Sequence, residues 1–433
     1  MKFGLYTLGC KVNQYETQAM EQMLAARGHQ LAAFDTPCDC YIINTCTVTA
    51  TGDKKSRNAI RRARRQNPNA VVGVCGCYAQ LAAEQVRALG ADVVGGAGER
   101  AQFLQHMEQA AAARQAIVDV TPAMDRRVFE PLPAGGLAGR TRAMLKVQDG
   151  CRNFCSYCII PYARGPVRSM ELEAAVQAAR QLVRDGYREL VLTGIELSSW
   201  GLDLKTGQTP ADLIAAICQA VPQIRIRLGS LEPRTVTPAF CQRLQGLANL
   251  CPQFHLSLQS GCDSVLQRMN RKYDTARYRQ SVALLRAAFP GCAITTDLIV
   301  GFPGETEAEF SATCAFLQDI QFAACHVFPY SRRTGTAAAR LPGQCSNACK
   351  AERAAQASAI AAQSANAYRQ AMVGSCYPVL FEQPEGAYFV GHAPNYVPVS
   401  VCTAVQPNTV RMVRITEVAG SGCLGELADQ ISR

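Results

Sequence analysis

The chain has 433 residues, 44 of them Lys or Arg and 34 Asp or Glu, for a formal net charge of +10. That length predicts about three domains, and no apolar run approaches the ~20 residues that cross a bilayer, so no membrane span is expected. Twenty-one cysteines behind an opening unlike a secretory leader read as cytoplasmic thiols rather than a disulfide framework, while the positive charge permits a polyanionic partner without requiring one.

Residues 1 to about 120 alternate strand-like runs (KFGLY, DCYIIN, AVVGV, ADVVG) with helical stretches near 16–26, 49–66, 80–88 and 99–113. Apolar strands separated by helices predict a parallel sheet covered on both faces, in an α/β αβα domain over 1–125. The first connection carries no GxGxxG, which removes support for a dinucleotide site. The Pro/Gly-rich stretch Phe129–Gly139 is the expected boundary.

From Arg142 the pattern restarts. Six strand candidates (AMLKVQ, ELVLTG, IRIRLG, FHLSLQ, ITTDLIVG, ACHVFPY) are connected by helical stretches near 171–184, 210–219, 237–246, 275–288 and 306–319. Six βα units predict a partial parallel barrel over 138–368, with chemistry at the C-terminal strand ends. Asp149, Thr193, Glu232, Gln259, Asp297 and Tyr330 cluster at those ends. An alanine-rich helix near 346–370 follows. Short β runs (YPVLFE, YFVGH, VPVSV, VRMVRITEV) then predict a small all-β barrel over 371–433.

Cys151-Arg-Asn-Phe-Cys155-Ser-Tyr-Cys158 directly follows the first barrel strand. Structural zinc takes four protein ligands, and no fourth stands nearby. A 4Fe-4S cube held by three cysteines keeps one iron open for a ligand. The C-x3-C-x2-C spacing at a barrel strand end resembles the radical S-adenosylmethionine superfamily, in which that iron binds the cofactor and an electron cleaves it to a 5′-deoxyadenosyl radical. In the first domain, Cys10, Cys46 and Cys77 each follow a strand, where ligands of open parallel sheets gather. They are candidate ligands of a second centre, with Cys75 the competitor of Cys77. Cys38 and Cys40 precede a strand, and Cys218, Cys241, Cys292, Cys314, Cys325 and Cys376 sit in apolar contexts that predict packing.

TLGCKVNQYET (7–17), NTCTVT (44–49), GCYAQ (76–80), CRNFCSYCIIPYARGPVRS (151–169), SLEP (230–233), LSLQSGCDSVLQRMNR (256–271), TTDLIVGFPGETE (295–307) and FPYSRRTGT (328–336) together resemble the methylthiotransferases over essentially the whole chain. The opening wording is similar to the branch acting on N6-threonylcarbamoyladenosine, the tRNA adenosine 3′ of the anticodon. The alternatives are the isopentenyladenosine branch and, further off, a protein β-methylthiotransferase. The resemblance implies an auxiliary 4Fe-4S cluster on Cys10, Cys46 and Cys77, a radical cluster on Cys151, Cys155 and Cys158, and a C-terminal RNA-binding TRAM barrel. It further implies S-adenosylmethionine used both as methyl donor and as radical source, a tRNA substrate, an electron donor and a sulfur source. Thr193, Gly194 and Glu196 lie where relatives hold the cofactor's methionine part, although the usual Gly-Gly-Glu pattern is absent. The adenine C2–H is not activated for acid–base chemistry, so no side chain is assigned a catalytic role beyond the cluster ligands. Lys54, Lys55, Arg57, Arg61, Arg62, Arg64 and Arg65 are candidate phosphate contacts, and Arg332 and Arg333 are weaker ones.

Overall fold

The computed structural model describes residues 1–135 and 141–428. The expected start of the second domain at 138 and end of the third at 433 lie outside these residues, as does part of the Phe129–Gly139 boundary.

The N-terminal sheet is parallel and has six strands, in the order Gln30–Ala32, Lys2–Thr7, Cys40–Thr45, Val71–Gly76, Val93–Gly95, Ile117–Asp119. Two of these, Gln30–Ala32 and Ile117–Asp119, were not legible as strands. Each is three residues long and lies at a sheet edge, too short for an apolar period to register. The strand order reverses between Lys2–Thr7 and Cys40–Thr45, and the crevice outside the strand ends at such a reversal is where open α/β sheets bind ligands. Helices Lys11–Ala26, Ala50–Gln66 and Arg100–Ala113 connect the strands. The two faces pack separate apolar cores, one around Tyr41, Ile60 and Val74, the other around Phe3, Phe103 and Met107.

All six expected barrel strands form, at Arg142–Lys146, Glu189–Thr193, Arg225–Leu228, Gln253–Leu256, Ala293–Val300 and Ala324–Pro329. They are parallel but divided into two hydrogen-bonded groups; the third strand resumes after Gly229 as Ser230–Leu231, which pairs with the fourth. Helices such as Leu172–Arg184, Thr275–Ala288 and Glu307–Ile320 cover the outside. The shared core includes Trp200, whose Nε1 donates to Met170 O at 2.9 Å.

Helix Asn347–Gln370 is fixed to this body by Arg353, which is 2.9 Å from the Glu305 carboxylate. Strands Cys376–Glu385, Tyr388–His392, Pro398–Val401, Gly422–Leu427 and Thr409–Ala419 then close a barrel in that order. Gly422–Leu427 was not anticipated, because two glycines in six residues obscure the alternation. The barrel docks at the N-terminal ends of the first three strands. Arg142 donates to Glu382 and Tyr396, both at 2.9 Å, Arg227 donates to Pro394 O at 2.8 Å, and Arg225 donates to His392 O at 3.2 Å.

Candidate iron–sulfur and nucleotide site

Cys10, Cys46 and Cys77 follow three neighbouring strands, Lys2–Thr7, Cys40–Thr45 and Val71–Gly76, and the first two flank the reversal of strand order. Cys10 caps the first helix, and Cys77 opens a short helix, Cys77–Leu81. Gly9 makes the approach of Cys10 to Cys46 possible. It adopts φ +105, and a Cβ there would stand 2.9 Å from Cys46 Cβ. Cys75 is fully buried among Phe3, Ile42 and Phe103, whereas Cys77 packs with Ala97 and with Ala163 from the other cysteine loop. Cys38 and Cys40 are buried in the two cores of the sheet. Cys218, Cys241 and Cys292 are buried as expected, while Cys376 is exposed.

The second set lies on a loop clamped at its base by an antiparallel pair, Gln148–Asp149 against Arg168–Ser169. Gly150 takes φ +74 where any Cβ would fall 1.8 Å from Pro166 O, so this closure admits only glycine. Ser156 N donates to Met269 O at 3.0 Å, Ala338 N donates to Ser156 O at 2.7 Å, and Asn270 Nδ2 donates to Phe154 O at 2.9 Å. Three separate segments thus hold the thiols in place.

Each set also carries one guanidinium on a sulfur. Arg164 Nε donates to Cys77 Sγ at 3.2 Å, and Arg271 Nη1 donates to Cys155 Sγ at 3.2 Å. Burial pushes the Cys77 thiol up to about 11, and the Cys151 and Cys158 thiols up to about 12. Ligation must therefore expel protons, and a cation on the sulfur favours the thiolate that a metal needs. Among the described residues no three His, Cys, Asp or Glu side chains stand close enough to hold a single metal ion. Both donor sets are all thiol and three strong, the ligand chemistry by which proteins hold an iron–sulfur cube.

Arg164 also joins the two domains. It is fully buried, its Nη2 donates to Asn13 Oδ1 at 2.6 Å, and it bonds both oxygens of Glu16. Glu16 further holds Arg100 at 2.7 Å and Lys146 at 2.8 Å. Asp149 holds Lys146 at 2.7 Å and Arg168 at 3.3 Å. Asp149 is thus a structural counter-ion rather than a free group at the strand end. A second bridge is made by Arg333, whose guanidinium donates to Asp53 at 2.6 Å and to Thr47 at 2.5 Å. Arg333 is therefore a buried interdomain anchor and not a free phosphate contact.

Thr193 ends its strand, 3% exposed, and the turn behind it is tied to the cysteine loop through Gln148. Gln148 Oε1 accepts from Glu196 N at 2.8 Å, while its Nε2 donates to Gly150 O at 2.7 Å. A Cβ at Gly194 would meet that same Oε1 at 2.8 Å. The Glu196 carboxylate accepts from Ser199 and is held above the usual range by burial, and its Oε1 is buried without a partner among the described residues.

Between the domains lies a cavity of about 790 Å³, within the range of small-molecule sites. Val48, Thr49, Ala50 and Thr51, directly after Cys46, form one wall; Tyr157, between Cys155 and Cys158, forms another. Gln259, Asp297, Ile299, Phe328 and Tyr330 line the strand ends, as expected of three of the six polar positions there. Phe328 is 49% exposed and is an aromatic surface on which a base can stack.

The helix Ala50–Gln66 starts at this cavity and carries the basic run. Lys54, Lys55, Arg61 and Arg65 are exposed, and Arg57 is half-buried over the Tyr78 ring. Arg64 is occupied within the domain, bonding Ala70 O, Gly90 O and Asp92. Arg62 pairs with Asp35 and lies 5.5 Å from the Phe34 ring.

Residues 2–96 match the model of uncharacterized protein family UPF0004, and residues 145–317 match the radical SAM superfamily. A threonylcarbamoyladenosine tRNA methylthiotransferase of Bacillus subtilis is 42% identical over 92% of this chain and 89% of its own. The chain belongs to the tRNA methylthiotransferase family of radical S-adenosylmethionine enzymes. Its relatives there include a second threonylcarbamoyladenosine enzyme, from Thermotoga maritima, 36% identical over 87% of this chain and 85% of its own. A tRNA-2-methylthio-N(6)-dimethylallyladenosine synthase of Oleidesulfovibrio alaskensis is 37% identical over 88% and 83%. The fold is shared with a radical S-adenosylmethionine methyltransferase of Kitasatospora setae at a TM-score of 0.56 and 16% identity, covering 75% of this chain and 72% of that one. Membership brings S-adenosylmethionine and a 4Fe-4S cluster. No helix among the described residues is long and apolar enough to cross a membrane.

Proposed function

We propose that this enzyme places a methylthio group on adenine C2 of N6-threonylcarbamoyladenosine in tRNA, beside the anticodon. The carrying observation is the cavity of about 790 Å³ whose walls come from the residues after Cys46 and from Tyr157 of the Cys151–Cys158 loop. A base there lies against residues that adjoin Cys46 and residues of the Cys151–Cys158 loop. The opening TLGCKVNQYET wording and the 42% identity to a threonylcarbamoyladenosine enzyme support this branch over the isopentenyladenosine one.

In this reading Cys151, Cys155 and Cys158 hold the radical cluster, and Cys10, Cys46 and Cys77 hold an auxiliary one. When bound, the two clusters and S-adenosylmethionine supply the radical and the methylated sulfur, with electrons and sulfur from outside donors. The chain's own residues position these reactants. Arg164 and Arg271 donate to the sulfurs of Cys77 and Cys155 and so orient them. Gln148 sets the Thr193–Glu196 turn against the cysteine loop, and Thr193, Gly194 and Glu196 orient the cofactor's amino-acid end. Phe328 and Tyr157 offer apolar surface to the base and displace water from it. Lys54, Lys55, Arg61 and Arg65 contact phosphates, with Arg57, Arg62 and Arg64 shaping the same helix. The assignment of auxiliary, radical and RNA-gripping roles to residues 1–125, 138–368 and 371–433 belongs to the same proposal, as does a cytoplasmic site of action.

The test is nucleoside mass spectrometry of tRNA incubated with anaerobically reconstituted enzyme, reductant, sulfide and S-adenosylmethionine. The expected product is 2-methylthio-N6-threonylcarbamoyladenosine. A methylthio group found on isopentenyladenosine alone would overturn the choice of branch.

A further inference from the structure

The walls of the central cavity are mainly apolar, with Tyr157, Ile299, Phe328 and Tyr330 prominent, yet two cations, Lys350 and Arg332, also line it. Arg332 is partly committed, since its Nε donates to Ala339 O at 2.9 Å. Lys350 is different. It sits in the first turn of helix Asn347–Gln370 and is half-buried. Among the described residues it has no carboxylate within ion-pairing distance, although Arg353 on the same helix is paired with both Glu305 and Glu307.

The backbone accommodates the Lys350 side chain. Its Cγ packs where a Cβ of residue 301 would be, 2.5 Å away, so only glycine at 301, in the left-handed region at φ +68, leaves room for the stem. The ammonium lies 5.3 Å from the centre of the Tyr330 ring, a contact that recovers part of the hydration lost on burial. An ammonium held in place at such a cavity, with no carboxylate in ion-pairing distance among the described residues, is matched by an anionic ligand.

The N6 substituents of the two adenosines in question differ in this respect. The isopentenyl group is a hydrocarbon and would gain nothing from a cation. The threonylcarbamoyl group ends in a carboxylate, which would have to be neutralised on entering such a cavity. We propose that Lys350 reads the threonyl carboxylate and so sets substrate choice. This inference rests on the threonylcarbamoyladenosine reading above. Gly301 and Tyr330 are positioning residues for it, and the carboxylate that shares the cavity lining, Asp297, lies 3.4 Å from His255 Nε2 and not in ion-pairing distance of Lys350.

The test uses the full-length reconstituted enzyme and synthetic anticodon stem-loops in which the modified adenosine carries either the threonyl acid or its uncharged carboxamide. Lys350→Met keeps the stem against Gly301 and removes the charge, and iron content equal to the parent's certifies the fold. A charge-assisted hydrogen bond of ordinary strength predicts a fall of about 10- to 100-fold in kcat/KM on the acid. The carboxamide should be processed equally by parent and variant, and Lys350→Arg should restore much of the rate on the acid. Equal losses on acid and carboxamide would mean that Lys350 meets a phosphate or only supports the fold, and would overturn the proposal, as would no loss on either. A parent enzyme that modifies an isopentenyladenosine stem-loop but not the acid would instead overturn the branch assignment, and this inference with it.

Discussion

Replacing Glu16 with Gln tests the buried ionic junction between the domains. Glu16 is 1% exposed and faces three cations, Arg100, Lys146 and Arg164. Breaking a buried pair by removing one partner costs about 3–5 kcal/mol, because the charge left behind stays desolvated. Lys146 and Arg164 retain Asp149, at 2.7 and 3.4 Å, which softens the loss there. Among the described residues, Arg100 keeps as a side-chain partner the Gly96 carbonyl, at 2.9 Å. The expected cost is therefore about 3 kcal/mol, near the low end of that range. At about 2–4 °C per kcal/mol for a unit of 150–250 residues, the transition containing the N-terminal sheet should fall by roughly 6–12 °C in calorimetry. Arg100→Met added to Glu16→Gln should recover part of the loss, since the stranded cation is then gone. A shift of less than about 2 °C, corresponding to less than about 1 kcal/mol, would refute the argument. The same junction predicts acid sensitivity. Burial pushes the Glu16 carboxyl up, but Arg164, Lys146 and Arg100 outweigh it and hold the pKa well below the usual range; Asp149 is lowered likewise. With folded values below the unfolded ones of about 4, the stabilisation is fully present above that pH and is lost as pH falls through the folded values.

Cys151, Cys155 and Cys158 replaced together by alanine should leave about four of about eight irons per chain and abolish 5′-deoxyadenosine formation; an unchanged iron count would refute the ligand assignment. Cys77→Ala should lose the auxiliary cluster while Cys75→Ala, in the opposite apolar core, retains it, and the reverse iron analysis would exchange their roles. Lys54, Arg61 and Arg65 replaced together by alanine should weaken tRNA binding and reduce the slope of log affinity against log salt by about 2 to 3. An unchanged slope in filter binding would return these side chains to plain solvation.

Much of this architecture was legible because the barrel strands are long enough to show as apolar runs, and because strand-end thiols declare themselves by position. Cys77 could be favoured over Cys75 from its place after the strand; the structure packs Cys75 with Phe3, Ile42 and Phe103 and Cys77 with Ala97 and Ala163. The edge strands Gln30–Ala32 and Ile117–Asp119 escaped because three residues carry no period. The guanidiniums on the sulfurs escaped for another reason. Arg164 and Arg271 stand inside quoted motifs, but their partners Cys77 and Cys155 are 87 and 116 residues away. A charge that will be buried looks, in one dimension, like a charge that will be solvated. Arg64 shows the converse error, since its helical spacing placed it among surface cations while the fold spends it on Asp92 and three carbonyls. The cavity lining could not be listed from sequence because it draws on six separate segments of the chain.

The C-terminal barrel binds the starting ends of strands Arg142–Lys146, Glu189–Thr193 and Arg225–Leu228, whereas the cysteine loop leaves from the finishing end of the first. The depth of the half barrel therefore separates the two surfaces, roughly 17 Å for five residues of strand. A ligand that touches both the cavity and the C-terminal barrel would therefore have to span at least that depth. The protein is in this sense a calliper: a free nucleoside can fill its cavity, but only a molecule of some length can meet both of its jaws.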